Sequence, residues 1–175
     1  LERKGIAQAT YALNVNCRNA LRVTENIGFL TTPQVTYRSC LQAEFPGEFR
    51  PHFVRGTESA MQGKLKELLT DLRKKFPPEQ IVVLSPRSTS TAAALASAES
   101  GIKLHELDGP MPKNGFSGYS TIHSFKGLDA QAIILTDVVD LDDALFYTGI
   151  SRGRQEVHVL LNEGMKQSYA NRIVR

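Results

Sequence analysis

Two runs of four consecutive apolar residues, Ile81 to Leu84 and Ala132 to Leu135, most constrain the fold of this chain. Each has the length of a strand and falls far short of the ~18 apolar residues a membrane-spanning helix needs. Strands with no polar alternation are buried on both faces, which is the environment of a parallel sheet covered by helices. Parallel neighbours cannot be joined by a hairpin, so helical sequence must separate them. It does. From Glu58 to Phe76, Met61, Leu65, Leu68, Leu69 and Leu72 recur at three- and four-residue spacing, while Lys64, Lys66, Arg73, Lys74 and Lys75 take other positions. Pro77-Pro78 stops that helix and Ser85-Pro86 closes the strand that follows. Ser88 to Glu99, rich in alanine, reads as the next helix. Further strands are expected over Tyr11 to Val15, Val35 to Arg38, His52 to Val54, Tyr119 to Ile122, Ala132 to Thr136 and Val157 to Leu161. The class is α/β, and residues 108–118 read as a loop.

With 175 residues the chain suits one domain, and 41% hydrophobic against 22% charged residues excludes a disordered tail or a fibre. A net charge of +3 excludes a dedicated basic nucleic-acid arm. The first 80 residues carry 12 basic against 8 acidic side chains, the remainder 9 against 10, so any basic face draws on the first half. Two cysteines, Cys17 and Cys40, are too few for a disulfide framework and lack metal-binding spacing; reduced thiols in a cytoplasmic protein are expected. The chain opens at Leu1 on charged sequence with no signal-peptide pattern. The expectation is a soluble piece cut from a longer polypeptide, with no membrane partner.

An α/β protein invites a search for a phosphate loop, GxxxxGK[ST]. The nearest string, Gly56 to Leu65, has six residues between its glycines, leucine in place of the magnesium-binding hydroxyl, and a position inside the predicted helix. Gly115-Phe116-Ser117-Gly118-Tyr119 fails to complete a nucleophile elbow. His52, His105, His123 and His158 are scattered without ligand spacing, so no metal site is expected. The informative stretch is Tyr119 to Asp137, where a strand ending in polar residues leads into Lys126-Gly127-Leu128-Asp129 and a second strand. A glycine turn at the carboxyl end of a parallel strand exposes amides and small polar groups where α/β proteins bind ligands. It is followed by Tyr147-Thr148-Gly149-Ile150-Ser151-Arg152-Gly153-Arg154, just before a strand.

These blocks resemble, in order and spacing, the last two motifs of superfamily 1 DNA helicases of the UvrD/Rep type. Thr121 to Asp129 matches the family's motif V, T-h-H-x-x-K-G-L-E, and Tyr147 to Gly153 matches motif VI, Y-V-G-L-[ST]-R-A, with Arg154 fitting a common variant. A third block, Leu13 to Asn19, resembles motif IV, L-x-x-N-Y-R-[SN]. The resemblance implies that residues 1–175 form the second RecA-like domain of such a helicase, a three-layer P-loop-NTPase-type fold without its own phosphate loop. It implies that Arg18 and Arg152 reach the γ-phosphate of ATP, with magnesium, bound by a first RecA-like domain elsewhere in the parent chain. Arginine suits that role because its planar fork grips two phosphate oxygens. Gly127, Asp129 and Arg154 would lie against the nucleotide, Asp129 standing one methylene short of the family's ribose-binding glutamate. Thr121 and His123 would touch the backbone of single-stranded DNA, though His123 also suits a structural bond to its turn. Lys126 could serve either phosphate group or cap the turn. Cys17 replaces a tyrosine that often stacks on adenine, forfeiting about 0.5–1.5 kcal/mol of ring contact. The fragment alone is expected to bind no cofactor tightly and to hydrolyse nothing. The competing expectation is a non-catalytic module of the same fold that binds nucleic acid or a protein, its arginines serving as surface charge.

Overall fold

The computed structural model describes residues 15–30, 37, 39–42, 44–98, 101–141 and 144–174. Six parallel strands form the main sheet in the order β3 (Glu48–Val54), β8 (Gly153–Asn162), β7 (Ala130–Leu135), β4 (Ile81–Ser85), β6 (Ser117–Thr121) and β5 (Leu104–Glu106). A separate parallel pair joins β1 (Val15–Ala20) to β2 (Ser39–Gln42), with Asn16 opposite Cys40. Helices α1 (Leu21–Leu30), α2 (Glu58–Leu72), α3 (Thr91–Ser97), α4 (Ala144–Ile150) and α5 (Lys166–Ile173) complete the elements used here. Among the described residues no helix is long and apolar enough to cross a membrane.

Strand periodicity divides the core into two. Val82 and Leu84, Ile133 and Leu135, and Val157, Val159 and Leu161 pack with Val23, Ile27 and Leu30 of α1, Phe146 and Ile150 of α4, and Tyr169 of α5. Their alternates Ile81 and Val83, Ala132 and Ile134, and Leu160 face Leu65, Leu68, Leu69 and Leu72 of α2 and Ala92 and Leu95 of α3. The result is three layers, as expected of the α/β class, and each buried leucine of α2 contributes about 1.5–3 kcal/mol of burial.

The boundaries differ from the sequence expectation in instructive ways. Helix α2 ends at Leu72 rather than Phe76; the residue before a proline is disfavoured in helix, and residues 73–75 turn, with the Lys75 amide bonded to the Leu72 carbonyl. Helix α3 begins at Thr91 because the Ser90 hydroxyl caps it, accepting the Ala93 amide at 3.1 Å. The first strand occupies Val15–Ala20; of the expected Tyr11 to Val15, residues 11–14 lie outside the described residues. The strand expected at Val35 to Arg38 is not found at Tyr37, its one described residue, and β2 follows at Ser39–Gln42.

Among the described residues, one outside glycine has positive φ, Asp137 at +59°, directly after Thr136 at the end of β7. Its carboxylate accepts the Thr91 amide at 3.1 Å and the hydroxyls of Thr91 and Thr136 at 2.8 and 2.6 Å. Those bonds offset the conformational cost and tie the end of β7 to the start of α3.

Candidate phosphate-facing arginine site

Because all the strands are parallel, the segment from Ile122 to Asp129 must run from the carboxyl end of β6 back to the amino end of β7. Ile122 and Phe125 anchor it in the core, and Ile122 donates its amide to the Ser85 carbonyl at 2.8 Å. The candidate residues are thereby parted between two edges of the sheet. Thr121 ends β6 at the carboxyl edge, its hydroxyl bonded to Ser124 Oγ at 2.9 Å and accepting the Ser124 amide at 3.0 Å. His123 is exposed there, its carbonyl accepting the Lys126 amide. Gly127 has φ of +88° with open space around a would-be Cβ, so the backbone conformation alone calls for glycine. It lies just before β7, not at the carboxyl end of β6 where the sequence placed the turn; Lys126 beside it is exposed.

At the amino edge three separate stretches of chain meet. Asp129 precedes β7 and pairs with Arg18 of β1 (Nε–Oδ2 3.7 Å) and Arg154 of β8 (Nε–Oδ1 3.8 Å). Arg152, between α4 and β8, lays its guanidinium along the same rim, Nε donating to the Thr148 carbonyl at 3.3 Å and Nη1 to the Leu128 carbonyl at 3.5 Å. Its carbonyl accepts the Ala130 amide at 3.1 Å. Three guanidiniums thus gather around one carboxylate. Burial, and after it the like charge of Arg18, lowers the proton affinity of Arg152. A rim with excess positive charge and half-screened arginines favours a multivalent anion.

The groups that hold this rim are two buried amides. Asn16 Oδ1 accepts the amides of Arg18 and Asn19, each at 3.0 Å, and its Nδ2 donates to Asn19 Oδ1 at 3.0 Å. Asn19 Nδ2 donates to the carbonyls of Ser151 at 3.1 Å and Gly153 at 2.6 Å. Both asparagines lie within the Leu13 to Asn19 string, and their three-residue spacing beside an arginine is the signal the sequence offers. Tyr147 opens the same block and bonds the Tyr37 hydroxyl, whose pKa is pushed up to about 12 by burial and then by that bond. Beside the rim, a cavity of about 220 Å³ is lined by Gln80, Val82, Phe125, Asp129, Gln131 and Arg154. Cys17 is exposed and, like Cys40, carries a free thiol.

A second polar cluster was invisible in the sequence. The register of β3 against β8 sets Glu48 opposite Glu156 and Arg50 opposite His158. His52 Nε2 lies 2.9 Å from His158 Nδ1 with the rings stacked, and His158 Nε2 lies 3.3 Å from Glu156 Oε2. Lys75 Nζ reaches Glu156 at 2.9 Å and Glu48 at 3.3 Å, and Arg50 pairs with Glu48. Burial, followed by the neighbouring charges of His158 and Lys64, lowers His52 to about 4. Burial alone would raise Glu156, but the bonds from His158 and Lys75 outweigh it and hold the carboxyl below its ordinary range.

No protein-family model matches this chain, and no curated protein does. Among solved structures it is similar to the C-terminal domain of a possible DNA helicase from Lactobacillus plantarum WCFS1, with a TM-score of 0.59 over 83% of this chain and 87% of that one. The two share the α/β fold. At 15% sequence identity the likeness is one of architecture.

Proposed function

We propose that this chain is the second RecA-like motor domain of an ATP-dependent superfamily 1 DNA helicase of the UvrD/Rep type. The observation that carries the reading is the meeting of Arg18, Asp129, Arg152 and Arg154 on one rim, from blocks distant in sequence that match three helicase motifs in order. In this reading the phosphate loop and the magnesium-binding acids belong to a preceding domain of the same parent chain, and this rim closes over the nucleotide they hold. Arg18 and Arg152 then place two guanidiniums on the γ-phosphate oxygens as the bond to the leaving diphosphate lengthens. Charge stabilisation of that kind is worth about 10³–10⁵ in rate. Asp129 releases its loose arginine pairs and accepts from a ribose hydroxyl, while Gly127 lets the backbone approach and Arg154 steadies the phosphates. Thr121 and His123, on the other edge, contact the single-stranded DNA backbone, where donors position the strand without reading its sequence. Lys126 adds a charge between the two. Parting nucleotide-facing from DNA-facing groups by the height of the sheet lets closure of the cleft shift the strand.

The test is ATP turnover by the full gene product. Arg152→Ala should lower it by about 10³-fold or more with the fold intact, and Arg152→Lys should rescue poorly. The 175-residue chain alone should show no turnover and only weak, salt-sensitive binding to a labelled oligonucleotide, since half a groove neutralises few phosphates. Unchanged turnover in Arg152→Ala, or tight binding of the fragment that survives high salt, would favour the non-catalytic binding module.

A further inference from the structure

Strand β8 is buried on both faces from Glu156 to Leu161, where strands are ordinarily apolar, yet it and its edge neighbour β3 turn Glu48, His52, Glu156 and His158 toward the space beside α2. Charged groups removed from water persist when they pair or hold a metal. We propose that Glu48, Glu156 and His158 form a binding site for one divalent transition-metal ion, whose place the Lys75 ammonium holds in the metal-free protein. The inference is independent of the motor reading, which uses none of these residues.

Three features carry it. One ligand atom from each of the three side chains lies within 4.8 Å of the others. An ion bound at about 2.0–2.2 Å from each needs separations near or below about 4.4 Å, which small rotations supply. A cation already sits there: Lys75 Nζ bridges Glu156 and Glu48 at 2.9 and 3.3 Å, from a half-exposed side chain on the turn after α2 that can swing into solvent. His158 is buried and its second nitrogen is held by His52 at 2.9 Å, the arrangement by which outer-shell partners orient a ligating imidazole.

The protons balance without release. A neutral His158 with its proton on Nε2 donates to Glu156, and its Nδ1 then accepts from His52 Nε2–H. With Nε2 on the ion, the His158 proton resides on Nδ1 and donates to His52 Nε2, whose own proton moves to its Nδ1. Two carboxylates neutralise a dication, and an imidazole among them selects zinc or iron(II) over magnesium or calcium. Entry is through a cavity of about 360 Å³ lined by Glu48, His52, Lys75 and His158.

The test is calorimetric titration of the chelator-stripped chain with zinc chloride, with magnesium chloride as the comparison. One zinc site per chain is expected, with no heat from magnesium. Glu156→Gln should weaken zinc at least about tenfold. Lys75→Met, which removes the competing ammonium, should bind zinc several-fold more tightly and gain more thermal stability from zinc than the parent chain does. That second arm holds even if Glu156→Gln fails to fold. Zinc affinity unchanged by Glu156→Gln would place the ion on other histidines and overturn the proposal, as would a folded Lys75→Met chain that binds no zinc.

Discussion

Asn19 straddles Arg152: its side-chain amide donates to the carbonyl on each side of that residue, Ser151 O at 3.1 Å and Gly153 O at 2.6 Å. Both amide protons are used, and the amide oxygen accepts from Asn16, which in turn fixes the backbone of Arg18. One buried amide pair therefore sets the spacing of Arg18 on β1 and Arg152 in the turn before β8. Asn19→Ala would strip two partly buried carbonyls of their donor, at a cost of about 1–3 kcal/mol. Asn19→Asp should cost more, because a carboxylate would face those carbonyl oxygens. Urea denaturation checks the order; equal stability of Asn19→Asp and the parent chain would contradict the bonding described.

Gly153 departs from the alanine of the motif it resembles, and the packing shows why. A Cβ there would stand 2.3 Å from Val157 Cγ2 and 3.0 Å from the Glu156 carbonyl, beside the register shift between Ala130 and Ala132. Valine is stiff at χ1 and the carbonyl is backbone, so neither can move away cheaply. Gly153→Ala is expected to destabilise by about 1–3 kcal/mol through overpacking. A thermal midpoint at or above that of the parent chain would show that the strand relaxes freely.

The parts of this molecule legible in the sequence are those whose signal lies in adjacent residues. The leucines of α2 and the apolar runs of β4 and β7 carry their period within one element, and they assemble the central layers. Strand β3 was recognised only over its last residues, because Glu48, Arg50 and Pro51 disguise its start. Strand β5 has three residues, too few to show a period, and α4 has seven, with a glycine at one of its three buried positions. The arginine rim could be anticipated because each contributor sits in a contiguous string with a recognisable pattern. The histidine pair could not. His52 and His158 meet only through the β3–β8 register, which is a long-range consequence of strand order. The bond from Asp137 to Thr91 is hidden for the same reason.

Asp129 is the one carboxylate paired with Arg18 and with Arg154 among the described residues. Asp129→Asn would leave the guanidiniums of Arg18, Arg152 and Arg154 to repel one another along the rim. The pairs are long and partly solvated, so the expected loss is about 0.5–1 kcal/mol at low salt, shrinking as salt rises. Adding phosphate should recover stability in Asp129→Asn more strongly than in the parent chain, because the anion replaces the missing charge. Denaturation midpoints across a salt and phosphate series measure both effects. A loss that does not respond to salt would mean that Asp129 acts through packing.

His52 gives the fold a pH dependence whose sign follows from its surroundings. In the folded chain its pKa is pushed down to about 4, against an ordinary value of 6.5 in the unfolded chain. Between those values the unfolded state holds a proton that the folded state does not, so stability rises with pH across that window. Its contribution is complete above about pH 6.5 and is lost as pH falls toward about 4. The ring is only half-buried, so solvent screening reduces the full linkage to about 1 kcal/mol. Glu156, held below its ordinary value of 4.5, adds a loss of its own only as pH falls below that value. His52→Gln removes the titrating group and should flatten the profile between pH 6.5 and 4.5 while lowering stability at neutral pH, where the His158 ring loses its stacked partner. Denaturation across pH with chelator present makes the comparison. A parent chain equally stable at pH 5 and pH 7, or a His52→Gln profile as steep as the parent's, would show that the imidazole is as accessible to protons in the folded chain as in the unfolded one.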